Sequence, residues 1–212
     1  ESQYFASRRI AEALCKRLSQ PDPPEVLIVH PANADGWLEQ QAMDHARAEL
    51  VRTLGEADPH NRFNLYVPYT DETPIYAHAK IMIVDDRIIR VGSANMNNRS
   101  MGLDSECDIF IDTTRPGNES AGPTIRSMRA SLLAEHCGLS EEKVLELLEQ
   151  RKTMRHIIDT VKGNGRRLVR LDIPELTDAE KEIAENAALD PERADQMFEP
   201  FSSPGLFSRV KR

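Results

Sequence analysis

The chain has 212 residues, with 35 acidic against 27 basic side chains and a formal charge of −8. That is enough for one domain with a core plus appendages, and the acidic balance excludes a global basic field that would recruit nucleic acid or anionic membrane. No apolar run approaches the roughly 18–20 residues that span a bilayer, and no signal peptide is visible. Cys15, Cys107 and Cys137 are widely spaced and odd in number, which argues against a disulfide framework and for a reducing compartment.

In chain order, Ile10, Ala11, Leu14 and Leu18 have helical spacing, and Gln20-Pro21-Asp22-Pro23-Pro24 ends that helix. Glu25 to His30 reads as a short strand stopped by Pro31, with His30 structural or solvated. Residues 36–57 read as a long helix with Leu38, Ala42, Ala46, Leu50 and Leu54 on one face; Trp37 is assigned to the core and His45 to solvent. Phe63 to Tyr69 alternates as a strand up to Pro68. A polar loop, Thr70 to Tyr76, leads into the most informative stretch, and by themselves Tyr69 and Tyr76 read as ordinary loop and core residues.

That stretch reads His78-Ala79-Lys80-Ile81-Met82-Ile83-Val84-Asp85, returns as Ile88 to Val91, and leaves through Gly92-Ser93-Ala94-Asn95. The run from Lys80 to Val84 is apolar and partly β-branched, hence a strand. Strand side chains alternate, so His78 and Lys80 share a face while Asp85 has the opposite parity and stabilises the turn. Gly92 permits close backbone approach, and Ser93 and Asn95 bring hydrogen-bond donors. An imidazole can attack phosphorus or protonate a leaving oxygen, an ammonium neutralises phosphoryl oxygens, and neutral donors complete a cradle. A carboxylate such as Glu106 is placed to orient an imidazole through its second nitrogen. The residues therefore suit a phosphate ester.

Beyond the motif, Asp108 to Asp112 reads as a strand. Residues 121–137 read as a helix containing Ile125, Met128, Leu132 and Leu133, closed by Gly138. Further helices follow from Ser140 (Val144, Leu147, Leu148) and over 152–162 (Met154, Ile157, Ile158, Val161). His136 and His156 need no ligand role. The basic segment 151–170 reads as a solvated face paired with the acidic stretch Asp172 to Glu199, in preference to a contact with lipid headgroups. Thr177 and Glu180 have capping-box spacing, and the tail from Phe198 carries Phe201, Leu206 and Phe207. Strands alternating with long helices imply an α/β layered domain.

The spacing His-x-Lys-x4-Asp-x6-Gly-Ser-x-Asn resembles the HKD motif of the phospholipase D superfamily at every defining position. The continuation Asn95-Met96-Asn97-Asn98-Arg99-Ser100-Met101, then Asp104-Ser105-Glu106, is similar to the second HKD motif of members acting on lipids, with Asn98 where many relatives carry Asp. Glu1-Ser2-Gln3-Tyr4-Phe5 resembles the element that precedes that motif, with Ser2 in place of Asn. The chain opens inside that element, so its first residue is expected not to be the natural start. The resemblance covers residues 1 to about 137 and implies an α/β/α sandwich around a mixed β-sheet. On it rests a division into a catalytic half-domain over 1–138 and a helical extension and tail over 139–212. It implies His78 as one of a pair of histidines, one forming a phosphohistidine and the other handling protons. Lys80, Ser93 and Asn95 would bind phosphoryl oxygens, Glu106 would support an imidazole (of this motif or its partner), and Asp85 and Gly92 would be structural. No metal and no cofactor is required.

One such motif occurs in the chain, and family members use two. Three readings follow. The leading one is the C-terminal catalytic half of a phospholipase D-type phosphodiesterase or phosphatidyl transferase. It acts on phospholipid, with a second motif from the missing half or a second copy, in the cytoplasm or peripherally on the inner membrane face. The second makes the substrate nucleic acid, which the acidic balance disfavours. The third is a module that is non-catalytic until paired.

Overall fold

The computed structural model describes residues 7–32, 48, 50–160 and 163–171. The expectations for residues 1–5, Trp37, His45, the capping box at Thr177 and the tail lie outside them, as does the acidic stretch from Asp172.

Helix α1 (Arg8–Leu18) opens the described fold, and Lys16 and Arg17 in its last turn complement the helix dipole. Strand β1 (Val26–Val29) runs parallel to β2 (Phe63–Thr70), with Val26 opposite Phe63 and Ile28 opposite Leu65. Parallel neighbours need a long crossover, and the intervening chain includes helical residues 50–56 (α2). The backbone N–H of His30 continues the ladder by donating to the Tyr66 carbonyl at 2.8 Å, and His30 is fully buried. A short strand β3 (Thr73–Pro74) folds back on the end of β2.

Alternation along β1 and β2 gives this sheet two apolar faces. Ile28, Phe63 and Leu65 pack with Leu18, Leu50 and Leu54, joined by Ile10 and Leu14 of α1. Leu27, Val29 and Tyr66 point the other way, into a cluster with Ala130, Leu133, Ala134, Cys137, Val144, Leu147 and Ile157. Helices therefore cover both faces of a mixed sheet, an α/β/α arrangement. Those partners come from α4 (Gly122–Cys137), α5 (Glu141–Glu149) and α6 (Met154–Thr160). Gly138 ends α4 in the left-handed conformation at φ +64°. Ile125, Ala130, Leu133, Ala134 and Cys137 form the buried side of α4, and Met128 is exposed.

The chain after Gly138 thus feeds the same core. Glu25 accepts from the Met154 and Arg155 backbone N–H groups at 2.9 and 2.8 Å, a carboxylate on a helix N-terminus that ties α6 to β1. The chain then returns as β7 (Arg166–Arg170), antiparallel to β2 with Val169 opposite Val67. Leu168, in the middle of a strand that otherwise holds Arg166, Arg167, Val169 and Arg170, is buried. Arg166 pairs with Glu135 and Arg167 with Glu72, while Arg155 of α6 pairs with Asp159. Burial, and then the charge of Asp159, push the Tyr66 hydroxyl up to about 12.

A second, antiparallel sheet carries the motif: β4 (Ile81–Val84), β5 (Ile88–Gly92) and β6 (Asp108–Asp112), with β5 central. Directly opposed residues share a face. One face holds Ile81, Val91 and Ile109 in a row, then Ile83, Ile89 and Ile111; the other holds Met82, Arg90 and Phe110. The charged groups of the hairpin are thereby segregated from its aliphatic rows.

Candidate active site

Sharp turning of the β4–β5 hairpin comes first. Asp85 and Asp86 both have positive φ, +51° and +53°, as a type I′ turn requires. The Arg87 N–H closes the turn onto the Val84 carbonyl at 2.9 Å. Short polar side chains tolerate this backbone better than any other non-glycine residue. Asp86 accepts two bonds from Arg129 of α4, at 2.6 and 2.7 Å, which clamps the hairpin tip to the helix layer.

At the other end of β4 the ladder continues past its last formal residue, because the Gly92 N–H donates to the Lys80 carbonyl at 3.2 Å. Lys80, Gly92 and Asp108 therefore follow one another across the sheet. His78 precedes Lys80 by two, before the strand begins at Ile81. Lys80 Nζ lies 2.9 Å from His78 Nε2. An ammonium has only donors, so Nε2 accepts in this contact and the ring proton belongs on Nδ1. The imidazole lone pair that would act as nucleophile or base is the one facing Lys80. The other contact of the imidazole is aromatic: the rings of Tyr76 and His78 stack with centroids 6.1 Å apart and planes 16° apart.

The loop leaving β5 is shaped from below. Arg90 is buried, and its Nη2 donates to the Ala94 carbonyl at 2.5 Å and to Asp108 Oδ1 at 2.9 Å. The same Asp108 oxygen accepts from the Ala94 N–H at 3.4 Å. A Cβ on Gly92 would sit 1.8 Å from Asp108 Oδ1 and 2.6 Å from the Cys107 carbonyl. Glycine is needed here for close approach. Ser93 is fastened to the same strand: its N–H donates to the Cys107 carbonyl at 3.1 Å, and its Oγ accepts from the Cys107 N–H at 3.0 Å. Ser93 Oγ in turn donates to Glu106 Oε2 at 2.5 Å. Asn95 is buried. Asn97 caps the short helix α3 (Asn98–Gly102) by accepting from the Ser100 N–H at 2.9 Å, and Arg99 clamps Asp104 through two nitrogens.

The geometry thus joins His78 to Lys80, and Ser93 to Glu106. Glu106 makes its hydrogen bond to Ser93, and His78 has no carboxylate on Nδ1 among the described residues. Asp85 serves the turn through its backbone. Sequence reasoning passed over Arg90 and Asp108. The signal was present, since a lone arginine between Ile89 and Val91 must find a partner to be buried. Among the described residues no group of three His, Cys, Asp or Glu side chains is placed to hold a metal ion, and no helix is long and apolar enough to cross a membrane. All three cysteines are free thiols.

Comparison with known proteins points to one family. A family model described as phospholipase D matches residues 8–175. Phospholipase D zeta 1 of Arabidopsis thaliana is 38% identical over 84 residues, 35% of this chain and 8% of that protein. Phospholipase D alpha 1 of Carica papaya is 41% identical over 76 residues, covering 34% and 9%. Phospholipase D alpha 1 of Spuriopimpinella brachycarpa is 42% identical over 72 residues, covering 32% and 9%. The matched stretch is thus under a tenth of the length of these relatives.

Proposed function

The chain belongs to the phospholipase D family, and from that premise we propose that it is one catalytic half of a phosphodiesterase that works on phospholipids through a phosphohistidine. The observation that carries this reading is the 2.9 Å contact between His78 Nε2 and Lys80 Nζ beside the Gly92–Asn95 loop.

In this mechanism the phosphoryl oxygens draw the Lys80 ammonium off Nε2 and expose the lone pair. Nε2 attacks phosphorus, a P–N bond forms, and the P–O bond to the headgroup alcohol breaks. The departing alkoxide takes its proton from the imidazole of a second motif. That imidazole, now neutral, removes a proton from water, whose oxygen displaces His78 and releases phosphatidic acid. An alcohol in place of water gives a transfer product. Lys80 and Asn95 hold the phosphoryl oxygens as negative charge grows. Ser93, which gives its proton to Glu106 and accepts from the Cys107 N–H, fixes the loop that presents Asn95. The Asp85 turn and Gly92 keep the two ends of the hairpin in register.

The second histidine comes from another half-domain or from a second copy of this chain. The enzyme works at the membrane surface as a peripheral protein, with the phospholipid as its substrate partner.

Turnover of phosphatidylcholine and bis-p-nitrophenyl phosphate, measured together with mass in solution, tests this. Activity from a dimer means that two His78 residues complete one site. An inactive monomer that gains activity on mixing with a half-domain bearing another HKD motif means that the second histidine is supplied from there. An active His78→Ala variant would sink the mechanism.

A further inference from the structure

We propose that Tyr76 is the positioning residue for His78, its ring fixing the plane of the imidazole so that Nε2 meets Lys80; this deepens the phosphodiester reading above and rests on it. Histidine χ2 is a broad torsion with two nearly equivalent ring orientations. Something must choose one. In most sites that use an imidazole, a carboxylate or carbonyl on the second nitrogen does so. Here, among the described residues, nothing hydrogen-bonds Nδ1 of His78, and Glu106, expected to support this imidazole or that of a partner motif, accepts from Ser93 at 2.5 Å. The constraints that remain are Lys80 on Nε2 and the Tyr76 ring on the imidazole face, 6.1 Å between centroids and 16° between planes.

The backbone explains why the two rings meet. Residues 75–80 belong to no strand and are held at both ends, by the Ile75 N–H on the Pro68 carbonyl at 2.8 Å and by the Gly92 N–H on the Lys80 carbonyl at 3.2 Å. Between them the Ala77 N–H donates to the Ile75 carbonyl at 3.1 Å, a γ-turn centred on Tyr76 that brings its ring to the imidazole, while Lys80 meets the same imidazole at Nε2. Tyr76 is 44% exposed. Core packing does not account for an aromatic residue at that position, whereas stacking on a neighbouring imidazole does. The stack sets the ring plane, and the ammonium selects which nitrogen faces it.

The test is long-range proton–nitrogen NMR of the histidine rings in the full chain, with the His78 signals assigned by loss in His78→Gln. At neutral pH the wild type is expected to show one tautomer, protonated on Nδ1 and unprotonated on Nε2. Tyr76→Phe keeps the ring and is expected to keep that pattern. Tyr76→Ala is expected to move both nitrogens toward the tautomer mixture of an unrestrained imidazole, with the amide spectrum otherwise unchanged. A wild-type pattern in Tyr76→Ala overturns the proposal, and so does loss of the pattern in Tyr76→Phe. In any preparation that turns over bis-p-nitrophenyl phosphate, Tyr76→Ala lowers kcat roughly tenfold with KM held. A raised KM with kcat held would make Tyr76 a substrate contact instead. Inactivity of the wild type bears on the phosphodiester reading alone, because the ring spectra decide the role of Tyr76 without turnover.

Discussion

Arg90 and Asp108, eighteen positions apart, form a buried ion pair at 2.9 Å directly beneath the Gly92–Asn95 loop, and Arg90 also holds the Ala94 carbonyl. The loop proposed to receive a phosphate is therefore braced from below by a charge pair. Removing one member leaves the other charge buried and unpaired. Asp108→Ala is expected to cost about 3 kcal/mol of stability, read as a lower urea midpoint. The double variant Arg90→Met with Asp108→Leu should cost less than Asp108→Ala, because it leaves no orphaned charge. Equal or greater loss in the double variant would refute the brace.

Gly92→Ala should be worse than its single methyl suggests. The added carbon would meet Asp108 Oδ1 and the Cys107 carbonyl well inside contact distance. A loss of about 2 kcal/mol is expected from overpacking, along with weakened phosphate binding as the loop is pushed off Asp108. Isothermal titration with inorganic phosphate and thermal unfolding check the two effects separately.

At the hairpin tip the relevant property of Asp85 is its backbone, with φ at +51°. Asp85→Gly should leave the melting temperature nearly unchanged, and Asp85→Val should lower stability by about 1–2 kcal/mol. A valine variant as stable as the glycine variant would show that the turn does not need a left-handed residue there.

Ser93 and Glu106 act as one unit through their 2.5 Å bond, with Ser93 also accepting from the Cys107 N–H. Ser93→Ala and Glu106→Gln should each reduce phosphodiester turnover. The double variant should lose little more than the worse single one, because coupled residues are not additive. Fully additive losses would place the two groups in separate steps.

His136 supplies a pH dependence. Burial, as the leading cause, holds its pKa below the ordinary 6.5, and its Nδ1 has no hydrogen-bond partner among the described residues. The folded state therefore resists protonation more than the unfolded chain does. The stability due to neutral His136 is present above about 6.5 and is lost as pH falls from there through the lowered folded value. Urea titrations from pH 7.5 downward should show a steeper decline in the wild type than in His136→Gln. Parallel curves would remove His136 as the cause.

What the sequence determined by itself is what depends on near neighbours along the chain. The two-residue spacing of His78 and Lys80 paired them, and the turn-forming pair Asp85-Asp86 marked the hairpin tip. Helical spacing located α1, α4, α5 and most of their inward residues, and the motif spacing pointed to the family. Tertiary structure decided the rest, because those outcomes are contests between segments far apart in sequence. Glu106 had both an imidazole and a hydroxyl as possible partners, and the register of β6 against β5 delivered it to Ser93. Arg90 found Asp108 only through that same register. The arginine-rich run after α6 lacked a long apolar stretch to advertise a strand, yet Leu168 in its middle sufficed once β2 offered an open edge and Glu72 and Glu135 stood near to meet the charges. The stacking of Tyr76 on His78 likewise needed the path of residues 75–80, which turns at Tyr76 and which two hydrogen bonds to other strands hold in place.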